Sequence, residues 1–512
     1  MDFLMEFTKK EKPLKEKPLP QQPLTLLVNG QTADLTAVSP TMTLLHYLHH
    51  SGRTGTKEGC GDGDCGACTV AVLCTGADGT LRYQAMNSCL IPVGAVAQRE
   101  IVTVEGLTES FTAGLTDGPL HPVQAAMVKT GGSQCGYCTP GFIMSLFAAY
   151  YDGSVDDIAI EGNLCRCTGY LPIRRAATAL MQEMAEAKPC DRFTQRLSLP
   201  SASPDPPPSL LQYLGPQEQF YRPTQIPQVL SLLQQHPNAT LIAGGTDLGL
   251  DISHQRRPFP VLVSLEDVAE LRQIHQTETA VEIGAAVPLS QIQSYSQTEL
   301  PGVFPSLDEM LVWFAATQVR NRATLGGNIA TGSPIGDLPP VLLSLDATLK
   351  ITGMGDRLAP YRRTLPLADF FKGYRQTDLQ PQELIELVSI PLGITPGAVR
   401  RYSQSYKIGK RGTDDISIVA AAFVIDVEAS GRIVHARLAY GGVAAIPARA
   451  IAIESALMGQ LWNFTTVQQI KPLLLAAFTP LSDLRGSARY RQKLVVNLFE
   501  KFFVETIEGL EN

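Results

Sequence analysis

No stretch of the 512-residue chain approaches the roughly 18 consecutive apolar residues needed to cross a bilayer. Its first residues lack the basic start, apolar run and small-residue cleavage site of a secretion leader. These absences predict a soluble, cytoplasmic protein with no membrane partner. A strong charge of one sign is also missing. Acidic side chains number 49 and basic ones 42, a formal charge of -7, which gives no electrostatic footprint for nucleic acid. With 44% hydrophobic and 18% charged residues, the chain is neither wholly disordered nor fibrous. No cysteine follows Cys190, and nine of the ten lie between Cys60 and Cys167. Disulfide frameworks belong to small secreted domains, so this clustering favours metal ligation.

At roughly 100 to 200 residues per domain, three or four domains are expected. Residues 1–23 carry an EKPL repeat at Glu11–Leu14 and Glu16–Leu19 and read as a solvated, flexible tail. Asn29-Gly30 between two apolar runs is a hairpin signal that opens a sheet domain, 24–106. Ser39-Pro40 predicts the start of a helix carrying Leu44, Leu45 and Leu48 on one face. His46, His49 and His50 cluster there, away from any cysteine spacing, and read as exposed or capping histidines. Segment 107–188 reads as helical, with Pro122 and Pro140 in first turns and Thr139 as an N-cap. The Pro- and Ser-rich LPSASPDPPPS run marks a linker, 189–215. Alternating strands and helices from 216 to 398 give an α+β pattern. Strands near Ile418–Val427 and Ile433–Tyr440, followed by amphipathic helical runs, predict a small α/β domain over 399–512.

Cys60, Cys65 and Cys68 are separated by four and then two residues, and Cys89 follows after twenty more. This is the plant-type spacing of a 2Fe-2S cluster: three thiolates come from one tight loop and the fourth from a neighbouring segment. Gly59, Gly61, Gly63 and Gly66 let the loop curl. Structural zinc prefers two separated pairs. The GxGxxG match at Gly61–Gly66 is not a dinucleotide fingerprint, because no strand leads into it and no helix follows. Cys135 and Cys138 with Cys165 and Cys167 form a second set of four, and their spacing alone admits zinc or iron and sulfur. Both pairs precede helix starts, where the dipole favours negative charge. Cys74 and Cys190 read as non-ligands.

Thr240–Leu248 runs from a strand into a paired-glycine turn, and TLGGNIATGS from Thr324 holds a second. Two such turns can point N–H groups at two phosphates, although loop geometry alone also accounts for them. Neither turn contains a His or Cys for covalent flavin attachment.

The runs GTKEGCGDGDCGACTV, HPVQAAMVKTGGSQCGYCTPGFIMSL, GNLCRCTGYLPI and WFAATQVRNRATLGGNIATGSPIGDLPP resemble the xanthine dehydrogenase and molybdenum hydroxylase family. The resemblance implies a multidomain α+β fold: a ferredoxin-like β-grasp domain, a four-helix bundle, a two-part α+β FAD-binding domain and a small C-terminal α/β domain. It implies 2Fe-2S clusters on both cysteine sets, with Gln134 approaching the pterin of a molybdenum cofactor. For FAD it implies that Leu241, Ile242, Ala243, Gly244, Gly245, Thr246, Asp247 and Leu248 embrace the pyrophosphate. By the same likeness Phe314 packs on the cofactor, and Thr324, Gly327, Asn328 and Asp337 hydrogen-bond to it. Asp414, Asp415 and Ile416 would close the site. From the residues alone Phe314 reads as a core aromatic and Asp337 as a helix cap.

The order cluster, cluster, flavin, with no molybdopterin segment following, resembles the small subunit of bacterial two-chain members. It implies a molybdopterin-binding large subunit as partner, in a heterotetramer of two small and two large chains, with NAD as electron acceptor and purine hydroxylation on the partner. An aldehyde or N-heterocycle hydroxylase, or an electron-transfer module without catalysis of its own, remain as rival readings.

Overall fold

The computed structural model describes residues 24–76, 78–108, 119–186, 188–199, 210–215, 217–355 and 359–511. The Lys- and Pro-rich tail expected over 1–23 lies outside them.

The first domain is a five-stranded mixed sheet in the order Gln31–Asp34, Thr25–Val28, Glu100–Val102, Thr69–Thr75, Leu81–Asn87. Val28 pairs with Gln31, and the intervening Asn29 and Gly30 have φ of 53° and 78°, the left-handed pair that a two-residue hairpin requires. The helix Leu44–His50 buries Leu44, Leu45, Tyr47 and Leu48. Its cap is Thr43, whose hydroxyl accepts from His46 N–H at 3.2 Å. The expected start at Ser39-Pro40 is thus corrected, since the Ser39 hydroxyl instead contacts Thr41 and Glu218. His49 and His50 bond the Thr56 and His46 carbonyls.

The helices Pro122–Thr130, Thr139–Asp152 and Leu171–Glu186 close around Phe142, Phe147, Ile173 and Leu180. The N-cap of the second is Cys138, not Thr139, because the Thr139 hydroxyl bonds Ser133 instead. The segment expected as a linker holds the helix Arg192–Ser198. Phe193 from that helix packs edge-on against Phe147 and Tyr83, so its anchor is an aromatic core that the local Pro and Ser content conceals.

The third region has two larger sheets and a two-stranded one, Phe371–Gly373 with Gln376–Thr377. Of the larger two, one has the order Leu210–Leu214, Gln219–Pro223, Val261–Ser264, Thr240–Ile242, and the other is five-stranded and antiparallel. A last four-stranded antiparallel sheet is centred on Val419–Val427, every residue of which is buried. Ala420, Ala422 and Val424 face the core of the third region. Val419, Ala421, Phe423 and Ile425 face the helices Ile451–Leu457, Phe464–Ala476 and Ala488–Glu511. The period of two along one strand therefore joins two cores.

Candidate cluster and flavin sites

The first cysteine loop curls as its glycines allow: Gly61, Gly63 and Gly66 have φ of 73°, 83° and 62°. Asn87 Nδ2 donates to Gly63 O at 2.6 Å, and Ser88 Oγ to Cys68 O at 2.7 Å, tying the loop to the segment that carries Cys89. The thiols meet in pairs. Cys60 and Cys65 lie close enough to shift one another's titration, and so do Cys68 and Cys89. The Cys65 thiol and the N–H groups of Asp62, Cys65 and Asp64 hold Cys60 down to about 5. The Cys68 contact and burial push Cys89 up.

The second set pairs likewise. Cys167 Sγ lies 3.5 Å from Cys135 Sγ, and Cys138 is close enough to Cys165 for each to shift the other's titration. Burial and that contact raise Cys138 to about 12. Among the described residues no three His, Cys, Asp or Glu side chains gather at one point as a single ion would need. Two thiols on each side fit a two-iron cluster, each iron taking two thiolates. Cys68, Cys89 and Cys165 are buried, whereas Cys135 and Cys167 are exposed beside the exposed Gln134. Cys74 lies in the Thr69–Thr75 strand opposite Arg82, and Cys190 is exposed. Neither joins a pair.

The first glycine turn packs against the segment that leads into the second. A Cβ on Gly244 would stand 1.8 Å from Arg322 O, so only glycine permits this approach. Arg322 Nε donates back to Gly244 O at 2.9 Å, and the guanidinium pairs with Glu266. Leu241, Ile242 and Ala243 lead into the turn, and Thr246, Asp247 and Leu248 leave it. Asp247 reaches Arg375 at 3.5 Å. Thr324 caps the helix Leu325–Ala330 through Gly327 N–H. Asn328 Oδ1 is buried without a hydrogen-bond partner. An orphaned buried acceptor next to Gly327 of the second glycine turn is a group that a bound dinucleotide would satisfy, so the residues fit FAD here.

Asp337 is joined to the segment leading into Phe314 by a residue that sequence reasoning missed. Lys407 Nζ donates to Asp337 Oδ2 at 2.8 Å and to Trp313 O at 2.9 Å. Ser417 donates to the other Asp337 oxygen, so this carboxylate already has two protein partners. Asp415 accepts from the N–H groups of Lys410, Arg411 and Ile416. Asp414 has a left-handed φ of 55°, and burial together with Asp64 pushes its carboxyl up to about 7. Arg320 donates to the Phe314 and Ala315 carbonyls and pairs with Glu161 at 2.6 Å.

The flavin turn abuts the first cysteine loop. A Cβ on Gly249 would stand 2.7 Å from the carbonyl of Leu90, the residue after Cys89, and His254 Nε2 meets Asp62 Oδ1 at 2.6 Å.

Four family models match in tandem. They are a 2Fe-2S iron-sulfur cluster binding domain over 26–94, a 2Fe-2S binding domain over 103–178, an FAD binding domain in molybdopterin dehydrogenase over 216–393 and a CO dehydrogenase flavoprotein C-terminal domain over 404–506. The chain belongs to the molybdenum hydroxylase family. It is an iron–sulfur and FAD module of that family. Its relatives include xanthine dehydrogenases of Oryza sativa subsp. japonica, 33% identical over 93% of this chain and 39% of the relative, and of Emericella nidulans, 33% identical over 94% and 38%. The chain thus spans about two fifths of their length. A carbon monoxide dehydrogenase chain from Hydrogenophaga pseudoflava is 29% identical, with a TM-score of 0.50 over 56% of this chain and 96% of that one. Among the described residues no helix is long and apolar enough to cross a membrane.

Proposed function

We propose that this chain is the electron-transfer subunit of a cytoplasmic xanthine dehydrogenase. Its partner is a molybdopterin-binding large subunit, paired with it as two small and two large chains. Electrons released by hypoxanthine and xanthine oxidation to urate on the partner enter at the Cys135 set, beside Gln134. They pass to the Cys60 set and leave through FAD to NAD. When bound, FAD supplies the change from one-electron to hydride chemistry. Eight thiolates hold the clusters, the loop N–H groups at Cys60 offset their negative charge, and the two glycine turns cradle the pyrophosphate. Asp337, tied to Lys407 and Ser417, and Phe314, held by Arg320, shape the flavin's edge, and the Asp415 loop closes it.

The observation that carries this reading is the order of contacts. The exposed Cys135 and Cys167 edge leads inward to the Cys60 loop, and that loop touches the flavin turn through Leu90 and His254. The likeness to carbon monoxide dehydrogenase supports a second reading, in which the wire is the same and the partner's substrate differs.

The test is turnover of the isolated, cofactor-loaded chain. It should pass electrons from NADH to an artificial dye and leave xanthine untouched, and adding the large subunit should bring NAD-coupled purine oxidation. Purine oxidation without partner would overturn the proposal, and absent dye reduction in a fully flavinated sample would remove NAD from it.

A further inference from the structure

Asn163 is 2% exposed and touches three domains. Its Nδ2 donates to Gly66 O in the first cysteine loop at 2.9 Å. Its Oδ1 accepts from Ser145 Oγ in the Thr139–Asp152 helix at 2.7 Å and from Gln318 Nε2 in the FAD region at 3.1 Å. Leu164 N–H donates to Cys65 O at 3.0 Å. Two successive carbonyls of one loop, Cys65 and Gly66, are therefore held by two successive residues of the other, Leu164 and Asn163. A single hydrogen bond would leave the loops free to pivot, whereas two adjacent ones fix their orientation. There is no slack around this clamp. A Cβ on Gly66 would stand 2.1 Å from Gly162 O and 2.4 Å from Asn163 Nδ2, and one on Gly141 would stand 2.1 Å from Gly66 O.

Cys65 belongs to one set of ligands, and the peptide of Leu164 leads directly into Cys165 of the other. We propose that Asn163 is a positioning residue for electron transfer between the two sets, holding the Leu164 N–H to Cys65 O hydrogen bond in place as the bridge the electron crosses. The proposal rests on the reading of both sets as 2Fe-2S ligands. In the step one electron leaves the group held by Cys135, Cys138, Cys165 and Cys167 and arrives at the group held by Cys60, Cys65, Cys68 and Cys89. One is oxidised, the other is reduced, no bond is made or broken and no proton moves. A primary amide suits this position because it donates to Gly66 and accepts from Gln318 at once, with Ser145 as a second donor to the same oxygen. A carboxylate there cannot donate, and an alanine leaves buried groups unpaired.

The experiment uses the full chain loaded with iron, sulfide and FAD, in unaltered, Asn163→Ala, Asn163→Asp and Ser145→Ala forms. Iron content is measured, along with the EPR signal and midpoint potential of each cluster and, by freeze-quench after a pulse of photoreductant, the rate at which the two clusters equilibrate. Asn163→Ala and Asn163→Asp should keep their iron and both signals while equilibration slows by about tenfold or more, since small misplacements along an oriented path are costly. Ser145→Ala, which keeps the Gly66 bond, should stay close to the unaltered rate. An unchanged rate in both Asn163 variants overturns the proposal. Iron loss from both also overturns it, because Asn163 would then hold a cluster rather than set a route. An unaltered chain without iron would sink the cluster reading itself.

Discussion

Asp414 stands at the meeting of the cluster loop and the C-terminal domain, and its carboxyl is pushed up from 3.8 to about 7 by burial and by Asp64. Between about pH 4 and pH 7 the folded state therefore holds a proton that the unfolded chain has released. Stability falls as pH rises through that window and levels off above it. Asp414→Asn removes the penalty, so the variant should match the unaltered chain near pH 4 and exceed it in urea unfolding midpoint at pH 8. Equal midpoints at pH 8 would contradict the assignment. The unpaired thiols make a second residue-level prediction: Cys74→Ala and Cys190→Ala should leave the absorption and EPR of both clusters intact, and loss of either signal would break the ligand assignment. The eight cysteines proposed as ligands stand out in the sequence because most of them fall at short spacings within their loops. Asn163, Arg320 and Lys407 do not, since their partners lie far along the chain: Glu161 is 159 positions from Arg320 and Asp337 is 70 from Lys407. The quoted GNLC run contained Asn163, yet nothing local marks its contacts with Gly66 and Gln318.

The short helix Thr317–Arg320 is one of the elements that join the flavin region to the cluster domains. Arg320 and Glu161 have side chains only 4% and 12% exposed, and Arg320 also holds two carbonyls of the Phe314 segment. Arg320→Ala strands a buried carboxylate and frees both carbonyls, so it should cost about 3–5 kcal/mol. Glu161→Gln leaves the guanidinium its carbonyl partners and should cost less. Thermal unfolding of the loaded chain checks the ranking, and the reverse order would contradict it. The hairpin at Asn29-Gly30 and the helices after Pro122 and Pro140 were readable from turn chemistry and prolines. Helix starts were less so. Thr43 takes the cap expected near Ser39 because its hydroxyl reaches His46 N–H, and Cys138 takes the one expected at Thr139. The Arg192–Ser198 helix hid behind the Pro-rich run because a distant aromatic core holds Phe193.

At the scale of the whole molecule, the domains are threaded so that one set of cysteines lies at an open edge and the other lies against the flavin turn. This order of contacts is set by glycines: Gly66 lies against Gly162 and Asn163, Gly141 against Gly66, and Gly249 against Leu90. The most direct test is anaerobic addition of NADH to the isolated, FAD-loaded Cys135→Ser chain, followed by visible absorption and EPR. The signal of the Cys135 set should be lost while the flavin bleaches and the signal of the Cys60 set develops as in the unaltered chain. Loss of both cluster responses in a folded, flavin-loaded variant would contradict this order of contacts.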